Sequence, residues 1–245
     1  MNDTSQPKGK RQKDSNELVA SYLQVRKAIG FTGIALPVLL ILYSFVIENS
    51  WPKGSISAYY YSGGREIFVG CLFAIGVFLY AYKGFDKDVR KPTDKLVSRL
   101  AAIGAIGVAF SPMWFANSGA ITEPDPTWFQ SLFGKVVAGW LHGGFALLFF
   151  ASIAVFCIIN FCRCEPGTEP DEEKKFRNSV FRLLGGFIVI CTVAFVLGLI
   201  FTISGSFVFW AESLAVWDFG LSWIIKGEAL EGSMKLLRSL TPGAD

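Results

Sequence analysis

The sequence predicts an all-α membrane protein, a bundle of six transmembrane helices with both termini in the cytoplasm. Three observations carry that prediction. The 245 residues are 52% hydrophobic and 18% charged, with a mean hydropathy of +0.43, whereas soluble domains average about 25% charged residues. Residues 28–47, 67–82, 100–122, 136–162 and 183–211 contain no Asp, Glu, Lys or Arg, and 213–225 contains only Asp218. About 20 helical residues cross a hydrocarbon core of ~30 Å, and several of these runs are that long or longer. The Lys and Arg residues, finally, fall into alternate connecting segments. The composition excludes a soluble enzyme, a nucleic-acid binder and a disordered chain, and residues 1–245 read as a single membrane domain.

The elements follow in order. The polar arm 1–27 holds Asp14 and, three residues on, Glu17, a pattern resembling a capping box. Leu18, Val19, Tyr22 and Leu23 would form one apolar face, so a short interfacial helix is expected to lead into span one. That span, 28–47, is preceded by too long a polar arm to be a cleaved signal, and Pro37 inside it leaves the carbonyl of Gly33 without its helical donor. Span two is placed at 66–84. Its charge-free part, Ile67–Tyr82, has 16 residues and covers only ~24 Å, which draws Arg65 and Glu66, or Lys83, toward membrane depth. Span three, 97–116, carries a close-packing stripe of Ala101, Ala105 and Ala109, and Pro112 is expected to kink it by freeing the carbonyl of Val108.

Asp125-Pro126 reads as the N-cap and first residue of a short outer helix, with Trp128, Phe129, Leu132 and Phe133 toward lipid. Span four, 136–160, pairs Gly139 with Gly143 as a small-xxx-small contact face. Of the five cysteines, Cys71, Cys157 and Cys191 lie within spans and Cys162 and Cys164 at the end of span four. None falls in an outer loop, so no extracellular disulfide framework is expected. Cys162 and Cys164 read as boundary residues in preference to an acylation site. The stretch 183–225, 43 residues, would reach ~64 Å as one helix. Ser204-Gly205-Ser206 breaks it into spans at 182–204 and 207–226, and 227–245 forms the tail.

Orientation follows from the basic residues. The arm and the loop after span two carry six Lys and Arg each, the loop after span four five, and the tail three; the intervening loops carry only Lys53, Arg65 and Lys135. Both termini are therefore expected in the cytoplasm, and the net charge of +3 reflects topology signals, not a nucleic-acid patch.

Ionisable groups at membrane depth are costly and tend to mark sites. They are Arg65, Glu66, His142, Glu212 and Asp218, with Glu48 at an outer boundary. On this topology Arg65 and Glu66 open span two, His142 lies about two turns into span four and Glu212 just over one turn into span six, all toward the outer leaflet. With Ser57 and Tyr59 from the preceding loop they define a candidate ligand pocket between spans two, four and six. Each has a structural reading beside it. Glu66 is favoured in any first helical turn, Arg65 can snorkel, His142 can make an interhelical hydrogen bond, and Glu212 can pair with Arg65. Asp218 diverges from Glu212 by about 120° around the helix and belongs to a different stripe, with Leu214 and Ser222. There is no zinc pattern, one histidine cannot furnish a three-histidine catalytic site, and no metal or other cofactor is implied.

Ser55–Tyr82 (SISAYYYSGGREIFVGCLFAIGVFLYAY) and Phe209–Gly227 (FWAESLAVWDFGLSWIIKG), with His142 in LHGGFALLFF, resemble a group of bacterial six-span integral membrane proteins with no established activity. That resemblance implies the bacterial inner membrane and no catalytic residues. In organisation alone the layout is similar to the six-span autophagy modulators. Three functions compete. The first is binding or transport of a lipid or small amphiphile in the outward-facing pocket. The second is an intramembrane hydrolase or transferase using His142 with a carboxylate, Glu212 or Glu66. The third is a non-catalytic subunit or sensor whose polar residues lock helices together. The partners expected are membrane lipids and a second copy of the chain or another membrane protein.

Overall fold

The computed structural model describes residues 17–82, 84, 91–115, 125–164, 169–203 and 205–227, with side chains from Gln24 onward. The apolar runs become helices: α1 (Glu17–Val46), α2 (Arg65–Ala81), α3 (Asp94–Phe110), the short α4 (Trp128–Phe133), α5 (Lys135–Val155), α6 (Glu172–Ile200) and α7 (Phe207–Lys226). A 3-10 turn, Ser57–Tyr61, lies between α1 and α2, and α5 continues as a π-helical turn through Phe156–Asn160. There is no strand among the described residues. Four of the helical stretches, Gln24–Val46, Lys135–Asn160, Glu172–Ile200 and Phe207–Lys226, are long and apolar enough to cross a membrane.

The six long helices close a ring. Each packs on its sequence neighbour, in the order α1, α2, α3, α5, α6, α7, and α7 packs back on α1. Large side chains cover the outside of the ring, among them Phe31, Leu42, Tyr80, Trp140, Ile190 and Phe201. Water would not tolerate so continuous an apolar surface, and lipid does. The protein is membrane-embedded.

Closure between α1 and α7 depends on missing side chains. A Cβ added at Gly220 would lie 2.7 Å from the carbonyl oxygen of Gly30, and one at Gly30 would lie 2.7 Å from that of Gly220. The two backbones touch, as small residues allow inside membranes. The contact also serves Pro37. The indole of Trp217 on α7 donates to the carbonyl of Ile34 at 3.3 Å, next to the Gly33 carbonyl that the proline leaves unbonded.

Several expectations change. Glu17 to Val46 is one continuous helix, so no separate interfacial helix precedes α1 from residue 17 on. Asp14 lies outside the described residues, as do the side chains of Leu18, Val19, Tyr22 and Leu23. Pro112 does not kink a span: α3 ends at Phe110, and Ser111 adopts an extended conformation (φ −91°, ψ 116°), as steric conflict with a following proline favours. The N-cap of α4 is Thr127, not Asp125. Its hydroxyl accepts from the Gln130 amide at 3.2 Å while Gln130 Oε1 accepts from the Thr127 amide at 3.0 Å, a complete capping box. Trp128, Leu132 and Phe133 are exposed, but Phe129 is buried. Gly139 packs on the Trp114 ring, whereas an added Cβ at Gly143 meets nothing within 4 Å, so the two form no shared helix-contact face. The Cys162 thiol donates to the Cys157 carbonyl at 3.3 Å, and burial pushes it up from its ordinary pKa, which makes it a poor thiolate for acylation.

Because neither backbone can retreat, Gly220→Val is expected to lower stability by about 1–3 kcal/mol or to prevent folding. Gly143→Ala should stay within about 0.5 kcal/mol of the parent. Thermal unfolding in detergent checks both.

Candidate functional site

The polar end of the ring is covered by residues 50–64, a lid that returns from α1 to α2. Its backbone is irregular, so its amides and carbonyls need partners from the helices beneath. They find them. Phe209 at the start of α7 donates its amide to the Gly54 carbonyl at 2.9 Å, and Ser206 Oγ donates to Pro52 at 2.9 Å. The Tyr61 hydroxyl donates to the Met113 carbonyl at 2.7 Å and accepts from Gln130 Nε2 at 3.2 Å. Tyr59 is wholly buried, hydrogen-bonded to Ser44 of α1 and accepting from the Lys53 amide at 3.3 Å. Burial pushes its phenol above the ordinary tyrosine range, against those two hydrogen bonds.

Two side chains from the helices complete the fastening. Glu212, 9% exposed, accepts the Ile56 amide on Oε2 at 2.7 Å. A carboxylate on the leading amide of a helical turn is the favoured placement for a negative group. His142, 6% exposed, bonds through both ring nitrogens: Nδ1 to the carbonyl of Ser111 at 2.6 Å, and Nε2 to Ser57 Oγ at 2.9 Å. A carbonyl only accepts, so Nδ1 carries the proton and Nε2 is the acceptor, which makes the Ser57 hydroxyl the donor. The tautomer is thus set by the α3 terminus. Pro112 ends α3 at Phe110 and presents the Ser111 carbonyl to α5. The Ser111 amide and hydroxyl both turn back to the Gly107 carbonyl, at 2.9 and 2.6 Å.

Beneath Ser57 and Glu212 a cavity of about 40 Å³ runs into the ring, walled by Leu36, Phe68, Leu72, Val108, Ala146, Phe149, Phe150 and Val216. Its lining comes from five of the six long helices and from the lid. The space suffices for two or three water-sized groups, and apart from its lid end it is apolar.

The predicted pocket residues therefore separate. Ser57, His142 and Glu212 come together at the lid, with Tyr59 beside them on the α1 side. Arg65 does not pair with Glu212: it is exposed, with its guanidinium 4.3 Å from the Tyr60 ring centre and donating to the Tyr60 hydroxyl at 3.0 Å. Glu66 is exposed on the first turn of α2. Asp218 does not line the cavity, and one of its carboxyl oxygens is buried without a hydrogen-bond partner. His142 reaches no carboxylate, because both its nitrogens are engaged elsewhere. The sequence reading missed Ser111 and Ser44; the one signal available was the Ser111-Pro112 dipeptide, which marks a helix end as readily as a kink. Among the described residues no three His, Cys, Asp or Glu side chains gather as a metal site would need. Comparison with protein-family models, curated proteins and solved structures gives no match to this chain.

Glu212→Ala strands the buried Ile56 amide and is expected to cost about 1–3 kcal/mol, whereas Glu212→Gln keeps an acceptor and should cost less than half as much. Unfolding midpoints in detergent compare the two.

Proposed function

We propose that the protein is a six-span membrane protein, both termini cytoplasmic, that binds a small amphiphile at the lid end of its helix ring. The cavity carries this reading: an apolar axial space bounded at one end by the Ser57 hydroxyl and the Glu212 carboxyl, with the His142 imidazole bonded to that hydroxyl from behind, suits a ligand with a short apolar end and a polar head. The head would exchange for the Ser57–His142 and Ile56–Glu212 bonds. The space takes only a chain end, so a larger ligand requires the lid to lift. Membrane lipids and their breakdown products have this chemistry, and a second copy of the chain or another membrane protein remains a candidate partner.

Support for six spans is physical. Helices α2 and α3 have 17 residues each, about 25 Å at ~1.5 Å per residue, close to the hydrocarbon thickness. They pack inside the same ring as the four longer helices. The distribution of Lys and Arg supports cytoplasmic termini, and so an outward-facing lid; the bacterial inner membrane is proposed on the resemblance alone. Asn49→Cys in the lid-side loop should react with an impermeant maleimide on intact cells, and Lys95→Cys at the other end should not; the reverse pattern overturns the orientation.

A second reading rests on one observation, the Ser57 hydroxyl donating to an imidazole of fixed tautomer. That is the arrangement of a nucleophile and its base. Ser57 Oγ would attack an ester carbonyl as its proton passes to His142 Nε2, the leaving alcohol would take that proton, and water would then hydrolyse the acyl-serine. Against it, the Ile56 amide next to Ser57, a natural oxyanion donor, is held by the Glu212 carboxyl. Binding is therefore the reading preferred.

One experiment separates them. Native mass spectrometry of the purified protein is expected to show a bound amphiphile that Glu212→Gln and Ser57→Ala each weaken by about tenfold, the scale of one hydrogen bond to a charged or buried group. A protein without bound species, in which both variants behave as the parent, overturns the binding reading. Labelling of Ser57 by a fluorophosphonate, lost in His142→Gln, would favour the acyl-transfer reading.

A further inference from the structure

Asp218 is the twelfth of the 20 residues of α7, one of the helices long and apolar enough to cross a membrane. Its neighbours one turn away on the same face, Leu214 and Leu221, are 45% and 37% exposed, and Asp218 itself is half-buried. The carboxyl therefore lies at mid-helix on the outside of the ring, where α7 borders α6. One of its oxygens, Oδ2, is buried and has no hydrogen-bond partner. Two thiols are within electrostatic range, Cys157 of the π-helical turn and Cys191 of α6, but neither is hydrogen-bonded to it. The hydroxyl one turn on, Ser222, donates to the Phe219 carbonyl at 2.7 Å instead. Among the described residues Asp218 makes no ion pair.

The surface beside it is notched. Gly198 of α6 faces Val208 of α7, and an added Cβ there would lie 2.9 Å from the valine side chain. The two helices run antiparallel, so ten residues on from Val208 and ten back from Gly198 set Asp218 level with Ile188. Gly186 is within about 3 Å of that level, and an added Cβ at Gly186 meets nothing within 4 Å. Leu183, Ile190 and Val193 around it are exposed. A helix laid along this face can come close to the α6 backbone at Gly186 and bring a long side chain to Asp218.

A carboxyl at bilayer depth is costly unless paired, and in lipid only a helix or a closed barrel can deliver the partner. Arg182, six residues from Ile188 toward the basic end of α6, is turned to Cys162. A second copy of the chain supplies no cation at this depth, since its described Lys and Arg stand nearer the helix ends. Charge complementarity therefore favours a different chain.

We propose that Asp218 and the notch at Gly186 form the docking point for a partner transmembrane helix that carries one Lys or Arg at mid-membrane depth. The cation donates to the Asp218 carboxyl while the partner backbone rests on Gly186. This gives a chemistry to the membrane partner and does not depend on what binds under the lid.

The test reconstitutes the full-length protein, labelled at its N-terminus with a fluorescent donor, in phosphatidylcholine liposomes. The probe is an acceptor-labelled model helix of leucine and alanine with one central Lys, compared with the same helix carrying a central Leu. Energy transfer is expected to show the lysine helix associating roughly tenfold more strongly, the scale of the stronger polar contacts in membranes. Asp218→Asn and Gly186→Leu should each reduce it to the level of the leucine helix. The Asp218 carboxyl makes no hydrogen bond that Asp218→Asn would break, and Gly186→Leu adds its side chain to open space, so each variant checks the other. Equal association of the two helices, or variants that bind the lysine helix as the parent does, overturns the site. Self-association that Asp218→Asn abolishes, with no response to the lysine helix, also overturns it and gives the face to a second copy.

Discussion

The Ile56 amide on the Glu212 carboxyl is the bond on which the lid end of the molecule depends. Irregular backbone at membrane depth survives only where the protein itself supplies its partners, and residues 50–64 are irregular. Glu212 supplies the partner at the point where the 3-10 turn begins, and that turn sets Ser57 toward His142 and Tyr59 toward Ser44. Remove the carboxyl and the turn loses its leading acceptor while the histidine loses its hydroxyl. Glu212 thus acts on the pocket first by shaping its roof; meeting a ligand belongs to the binding reading proposed above.

The same logic explains why α3 stops where it does. Were Ser111 helical, its carbonyl would point along the α3 axis. Pro112 prevents that, and the freed carbonyl fixes the proton of His142 on Nδ1. One proline thereby decides which nitrogen faces Ser57. The two ends of the ring handle charge in opposite ways. At the lid, a single carboxyl and a neutral imidazole are fully engaged by backbone and hydroxyl groups. At the other end, Lys174 of α6 and Lys226 of α7 converge on the Phe161 carbonyl at the end of α5, at 3.0 and 3.4 Å.

Much of the architecture was legible in the sequence, because helices in lipid must be apolar and charges at membrane depth are expensive. The apolar runs located the long helices. The break at Gly205, which has φ +80°, separated α6 from α7, and the short list of ionisable groups contained His142 and Glu212. What stayed hidden was which of these groups meet. Arg65 and Glu212 looked complementary in charge and depth, yet the carboxyl takes a backbone amide 156 residues away, a partner that carries no signature in residue type. Arg65 instead lies on the tyrosine five positions before it, a local contact that charge matching does not suggest. Gly30 and Gly220 are likewise two of 25 glycines, and nothing local distinguishes the pair whose backbones touch.

On the binding reading proposed above, the fastening of the lid would set how a ligand reaches the cavity. Lifting it breaks the Ile56–Glu212, Ser57–His142, Tyr61–Met113, Tyr61–Gln130, Tyr59–Ser44, Phe209–Gly54 and Ser206–Pro52 bonds together, since all seven hold the segment between Pro52 and Tyr61. Each is worth about 0.5–1.5 kcal/mol net once water replaces it, so the open state lies roughly 3–10 kcal/mol above the closed one, a population below about one per cent. A ligand must return that free energy through its own contacts. An apolar chain end contributes about 0.8 kcal/mol per buried methylene, so the two or three groups the cavity admits fall short of offsetting the opening. Tight binding therefore requires the head to take over the acceptor on Glu212 or the hydroxyl of Ser57. Specificity at this site should accordingly follow the head of the amphiphile more than the length of its chain.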